Sequence, residues 1–91
     1  MTVYLGIVHK DPDSEYGISF PDVPGCFSAG ASMEELMDMA AEALALHLDG
    51  ETVPRARSFE ELRGDADFER MFEDAVILLP VEHRALAVAA E

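Results

Sequence analysis

Residues 16–30, YGISFPDVPGCFSAG, run directly into residues 31–50, ASMEELMDMAAEALALHLDG. The periodicity changes once along this stretch. Tyr16, Ile18 and Phe20 alternate with Gly17 and Ser19, the period-two pattern of a strand with one apolar face. Pro21, Pro24 and Gly25 then make a rigid connection, because proline fixes φ and glycine can take it positive. Residues 26–29 are a short further strand, closed by Gly30. From Ser32 onward the period is helical. Ser32 and Glu35 stand in capping-box spacing, in which the hydroxyl accepts an orphan amide and the carboxylate reaches back. Leu36, Met37, Ala40, Ala43, Leu44, His47 and Leu48 share one broad apolar face. Gly50 suits the position just past a helix end. The spacing predicts a helix over 33–49.

Towards the N-terminus, residues 2–10 (TVYLGIVHK) read as a strand with apolar groups on both faces. Asp11-Pro12-Asp13-Ser14 is turn chemistry, so the two strands should form an antiparallel hairpin. On the C-terminal side, residues 51–57 are a connection containing Pro54. Ser58 and Glu61 repeat the capping box and open a short helix that Gly64 can stop. Asp65 or Asp67 can cap a further turn or two through Phe68, Met71 and Phe72. The unbroken run Ala75-Val76-Ile77-Leu78-Leu79 predicts an interior strand buried on both faces, parallel to a neighbour and reached by a right-handed crossover. Pro80 should limit its ladder. Residues 83–91 are alanine-rich and compatible with a short helix.

The expected fold class is therefore α+β. Three antiparallel strands and a final strand form a small sheet under one long helix, one layer pair, with extra short helices before the last strand. Residues 1–82 form a single domain, 55–74 read as a helical insertion, and 83–91 as a tail.

Composition narrows the function. The 91 residues hold 19 acidic and 6 basic side chains, a formal charge of −13. With 49% hydrophobic residues the chain is not a disordered acidic tail. No apolar run approaches the ~18 residues of a membrane span, and the N-terminus lacks the pattern of a signal peptide. The expected setting is the cytoplasm. A single cysteine, Cys26, excludes an internal disulfide and a multi-cysteine zinc site. Such a chain is repelled by phosphate backbones unless its bases cluster. The one cluster, Arg55, Arg57, Arg63 and Arg70, is interleaved with Glu60, Glu61, Asp65, Asp67 and Glu69, which predicts local ion pairing. A basic protein is the natural electrostatic partner, and direct DNA binding is not expected.

The run from Tyr16 to Gly30, followed by a capped acidic helix, resembles the HicB antitoxin family, whose pattern is approximately YGVSFPDLPGC-x-T/S-x-G. The resemblance covers residues 2 to about 54 and extends to a final strand at 75–81. It implies a partial RNase H-like fold of three antiparallel strands, a helix and a strand. It also implies a non-enzymatic antitoxin that binds and blocks HicA, a small basic mRNA-cleaving toxin, and that assembles as a dimer or tetramer. Many family members carry a C-terminal DNA-binding module, and nothing after Val81 reads as one. The alternative is a solitary HicB-like domain without a toxin, serving as an oligomeric scaffold or small-ligand binder.

Candidate residues follow from these readings. Glu34, Asp38 and Glu42 lie at i, i+4 and i+8 with Glu35 beside them, and residues 31–50 contain no lysine or arginine. Like charges at this spacing cost a few tenths of a kcal/mol per pair. The stripe reads equally as a solvated face that keeps the chain soluble or as a docking stripe for a basic partner, with Asp22 as a further candidate contact. Tyr16, Gly17, Phe20, Pro21, Pro24, Gly25, Cys26 and Gly30 carry the family motif in mainly structural roles, with backbone reasons expected for Gly17 and Gly25. Asp11, Asp13, Glu15 and Asp22 are read as turn acids rather than a metal cluster. Cys26 is read as a small core residue rather than a nucleophile served by His9, His47 or His83. No catalytic residue, metal or cofactor is expected.

Overall fold

The computed structural model describes residues 2–84. Seven elements follow in order: β1 (Thr2–Lys10), β2 (Tyr16–Ser19), β3 (Phe27–Gly30), α1 (Met33–His47), α2 (Phe59–Leu62), α3 (Ala66–Phe72) and β4 (Ile77–His83). The strands form one sheet in the order β3-β2-β1-β4, antiparallel throughout.

Local chemistry explains the turns. Ser14 N–H donates to Asp11 O at 3.1 Å, closing a turn around Pro12. In the motif loop Cys26 N–H donates to Val23 O at 3.1 Å. Pro24 stands first and Gly25, at φ 85°, second within that turn, the signature of type II. Gly30 is required by a close approach: a Cβ there would stand 2.5 Å from the Leu36 nitrogen. Gly17 differs from expectation. Its φ is not positive, and a Cβ would meet only Ser28 O, at 4.0 Å. No backbone reason for glycine exists there.

Helix α1 starts where the cap predicts, with Ser32 Oγ accepting from Glu35 N–H at 3.1 Å. The carboxylate of Glu35 accepts from Ala31 N–H rather than from Ser32. The helix ends at His47, earlier than the predicted 49, and Gly50 beyond it takes φ 77°. Leu36, Ala40, Leu44, Ala45 and Leu48 form the buried face. Met37 and His47, expected on that face, are exposed at its flanks.

The sheet is covered on both sides, which corrects the expected single layer pair. Alternation along β1 sends Tyr4 and Val8 to one face and Leu5 and Ile7 to the other. The first face packs with Ile18, Phe20, Val23, Cys26 and Val81 against α1. The second packs against α2 and α3: Ile7, Leu62 and Phe68 are buried together, with Leu5, Met71, Phe72, Ala75 and Leu78 around them. The segment 55–74 is thus the third layer. Phe68 stacks on Phe72 with ring centroids 5.4 Å apart, and Phe59 meets both edge-on.

Strand β4 is also a correction. It is an edge strand antiparallel to β1, not an interior parallel one. Helix α3 delivers the chain to the C-terminal end of β1, where Val76 N–H donates to Val8 O at 2.7 Å. From that end the chain can only run back along β1. The apolar run arises because Leu79 faces the α1 core and Leu78 the α3 core, while Val76 and Ile77 remain about half exposed. Pro80 does not end the strand, which continues to His83; an edge strand tolerates a missing donor. The helical reading of 83–91 conflicts with the structure at His83, and residues 85–91 lie outside the described residues.

Candidate functional site

The outward face of α1 carries Glu34, Glu35, Asp38 and Glu42, all exposed. None of the ion pairs among the described residues involves Glu34, Asp38 or Glu42. Glu35 is partly engaged through Ala31 N–H at 3.0 Å. The helix N-terminus favours Glu34 and Glu35, while Asp38 and Glu42 lie beyond the reach of that effect.

Asp22 stands apart from this stripe. Its side chain is only 7% exposed and belongs to a three-residue node. Arg57 donates from its backbone N–H to Asp22 Oδ2 and from Nε to Oδ1, both at 2.6 Å. Arg57 Nη1 also donates to Asp65 Oδ2 at 2.9 Å. Asp65 in turn caps α3, accepting from Asp67 N–H at 2.8 Å. The guanidinium, followed by that amide, holds the Asp65 carboxyl below its ordinary range. The node ties the motif loop to the third layer. Tyr4 adds a second tie, its hydroxyl donating to Pro54 O at 2.5 Å. Burial, and then the charge of Asp22, raise the Tyr4 phenol.

The other arginines pair as the interleaved sequence predicts. Arg55 meets Glu61, Arg63 meets Glu69 and Arg70 meets Asp67. Each arginine of this segment is thus paired, answering Glu61, Asp65, Asp67 and Glu69, whereas α1 has no such pairs among the described residues.

Nucleophilic chemistry finds no arrangement here. Cys26 is buried beneath α1, and burial pushes its thiol up, away from the reactive thiolate. His9 lies on the opposite face, with Nε2 2.7 Å from Met71 O. A carbonyl only accepts, so Nε2 carries the proton. His47 is exposed beside Gly25. Among the described residues no three His, Cys, Asp or Glu side chains gather as a metal site. Asp11 serves the hairpin turn, while Asp22 is bound to Arg57.

Sequence reasoning located the α1 stripe but missed the node and the Tyr4 tie. Their partners lie 35 and 50 residues apart, and local spacing carries no signal for them.

With this geometry in place, comparison with known proteins is decisive. A family model described as the HicB-like antitoxin of bacterial toxin-antitoxin system matches residues 4–91. The chain belongs to the HicB-like antitoxin family. Solved HicB structures share its fold. The Burkholderia pseudomallei antitoxin HicB aligns with TM-score 0.72 at 24% identity, covering 100% of this chain and 76% of that one. The HicA3 and HicB3 toxin-antitoxin complex contains a chain aligning with TM-score 0.69 at 27% identity, covering 91% of this chain and 99% of that one. Among relatives, an uncharacterized 14.9 kDa protein of Haemophilus phage HP1 is 37% identical over 59 residues, 59% of this chain and 44% of the phage protein. A UPF0150 protein of Archaeoglobus fulgidus is 37% identical over 43 residues, 47% of this chain and 62% of that protein. This HicB-like chain thus matches about half the length of these two relatives. No helix among its described residues is long and apolar enough to cross a membrane.

Proposed function

We propose that this chain is the antitoxin of a toxin-antitoxin pair, binding a small basic HicA-type mRNA-cleaving toxin and blocking it by protein contact. Family membership supports the class of function, and the unpaired acidic face of α1 supports the kind of partner. Of the two, the stripe Glu34, Asp38 and Glu42 carries the reading, because it sets three unpaired carboxylates at i, i+4 and i+8 along one helix in a stretch, residues 31–50, without lysine or arginine. Complementary charge acts chiefly by speeding encounter and rejecting wrong partners. Glu35 and Asp22 contribute less, since both carboxylates already serve the fold. The chain acts without catalysis, in the cytoplasm, as one domain over residues 1–82 and as a homo-oligomer. The motif residues Tyr16, Phe20, Pro21, Pro24, Gly25, Cys26 and Gly30 serve it by building the loop and the first core.

The test is calorimetry of the toxin with the wild-type chain and with Glu34→Lys/Asp38→Lys. The double variant should bind more weakly, and its deficit should shrink as salt rises and screens exposed charge. Equal affinity at low salt would remove the stripe from the interface.

A further inference from the structure

A groove of about 410 Å³ lies between α1 and β4, lined by Met37, Asp38, Ala41, Pro80, Val81, Glu82 and Arg84. It falls at the small end of the ~300–1,000 Å³ typical of ligand sites. Its floor is apolar, and Met37 at its lip is 48% exposed. Its second wall is β4, which ends the sheet and has no strand beyond it among the described residues. Arg84 is paired with Glu82, so Asp38 is the unanswered charge of the lining. Glu34 and Glu42 flank Asp38 one helical turn away on each side. The other cleft of similar size, at Val23, Pro24, His47 and Glu51, includes no residue of the stripe.

We infer that the α1–β4 groove is the anchor point of the interface. A basic segment of the toxin seats an apolar side chain on Met37, Ala41 and Val81 while its flanking lysines or arginines meet Asp38, Glu34 and Glu42. This rests on the antitoxin reading and adds to it. Charge selects the occupant: an apolar slot rimmed by unpaired carboxylates fits an apolar anchor framed by cations. Buried anchors in such slots carry a large share of interface energy, while rim charges mainly set rate and register.

The experiment fills the groove without touching charge. Ala41 is exposed, so Ala41→Trp should fold normally, as checked by thermal unfolding. Ala29→Trp, on the opposite face of the sheet at β3, places the same bulk elsewhere. Calorimetry with a purified HicA-type toxin should show Ala41→Trp weakened roughly thirtyfold or more, a hot-spot-sized loss. Met37→Ala should weaken binding in the same direction, and Ala29→Trp should bind as wild type does. Wild-type binding with Ala41→Trp unimpaired overturns the groove and leaves the antitoxin reading standing. No binding by the wild-type chain overturns both. If Ala41→Trp dissociates oligomers of the chain alone and leaves toxin affinity intact, the groove holds a second copy and the inference fails.

Discussion

Arg57 shows how much one side chain can hold in a small domain. Its guanidinium and backbone amide together answer Asp22, and the same guanidinium meets the residue that caps α3. Arg57→Ala leaves a nearly buried carboxylate with only part of its hydrogen bonding. The expected loss is about 1–3 kcal/mol, read by urea denaturation; Arg63→Ala, in an exposed pair, should lose well under that. Glu61 gives a pH signature. The side-chain bond from Arg55, then the Ser58 backbone N–H, lower its carboxyl from 4.5 to about 2. A carboxyl lowered on folding adds stability that is complete above its unfolded pKa and disappears as pH falls through its folded one. Stability should therefore decline as the solution is acidified from about pH 4.5 to about 2, and the difference between wild type and Glu61→Gln should narrow over that interval. A constant difference would deny the coupling. The Asp22–Arg57 pair, 35 residues apart, was not legible in sequence, whereas the pairing of the clustered arginines with neighbouring acids was. The serine caps of α1 and α2 were legible too, because serine and glutamate three apart encode a local event; the reciprocal carboxylate bond of a capping box forms at Ser58–Glu61, while Glu35 reaches Ala31 N–H instead.

At the scale of elements, legibility followed the range of the interactions. The first three strands and α1 were readable because period and turn chemistry are local. The orientation of β4 was not. An apolar run reports burial on two faces and says nothing of which end of the neighbouring strand the chain arrives at; that is decided by α3, docked beside His9. The segment 55–74 read as an addition because it is longer than the family pattern needs. In the fold Leu62 and Phe68 close the second core over Ile7. Phe68→Ala should therefore cost about 3–5 kcal/mol, a large part of the ~5–15 kcal/mol that holds a domain together. Phe59→Ala, at a ring 39% exposed, should cost visibly less. Denaturant midpoints of the two variants check this, and equal small losses would return the segment to the status of a decoration.

The whole molecule is a three-layer domain whose charge of −13 is unevenly answered. The arginines of the third layer pair with four of its acids, and the acids of α1 have no such company. The α1 stripe was visible in sequence as an absence of lysine and arginine. The groove beside it was not, since it exists only once β4 takes the edge next to α1. The most direct test of the antitoxin reading is an RNA-cleavage assay with the HicA-type toxin and increasing amounts of the full chain. The account predicts that cleavage stops once the chain matches the toxin in stoichiometric amount, and that Glu34→Lys/Asp38→Lys requires an excess. Undiminished cleavage in the presence of a large excess of the folded wild-type chain would contradict it.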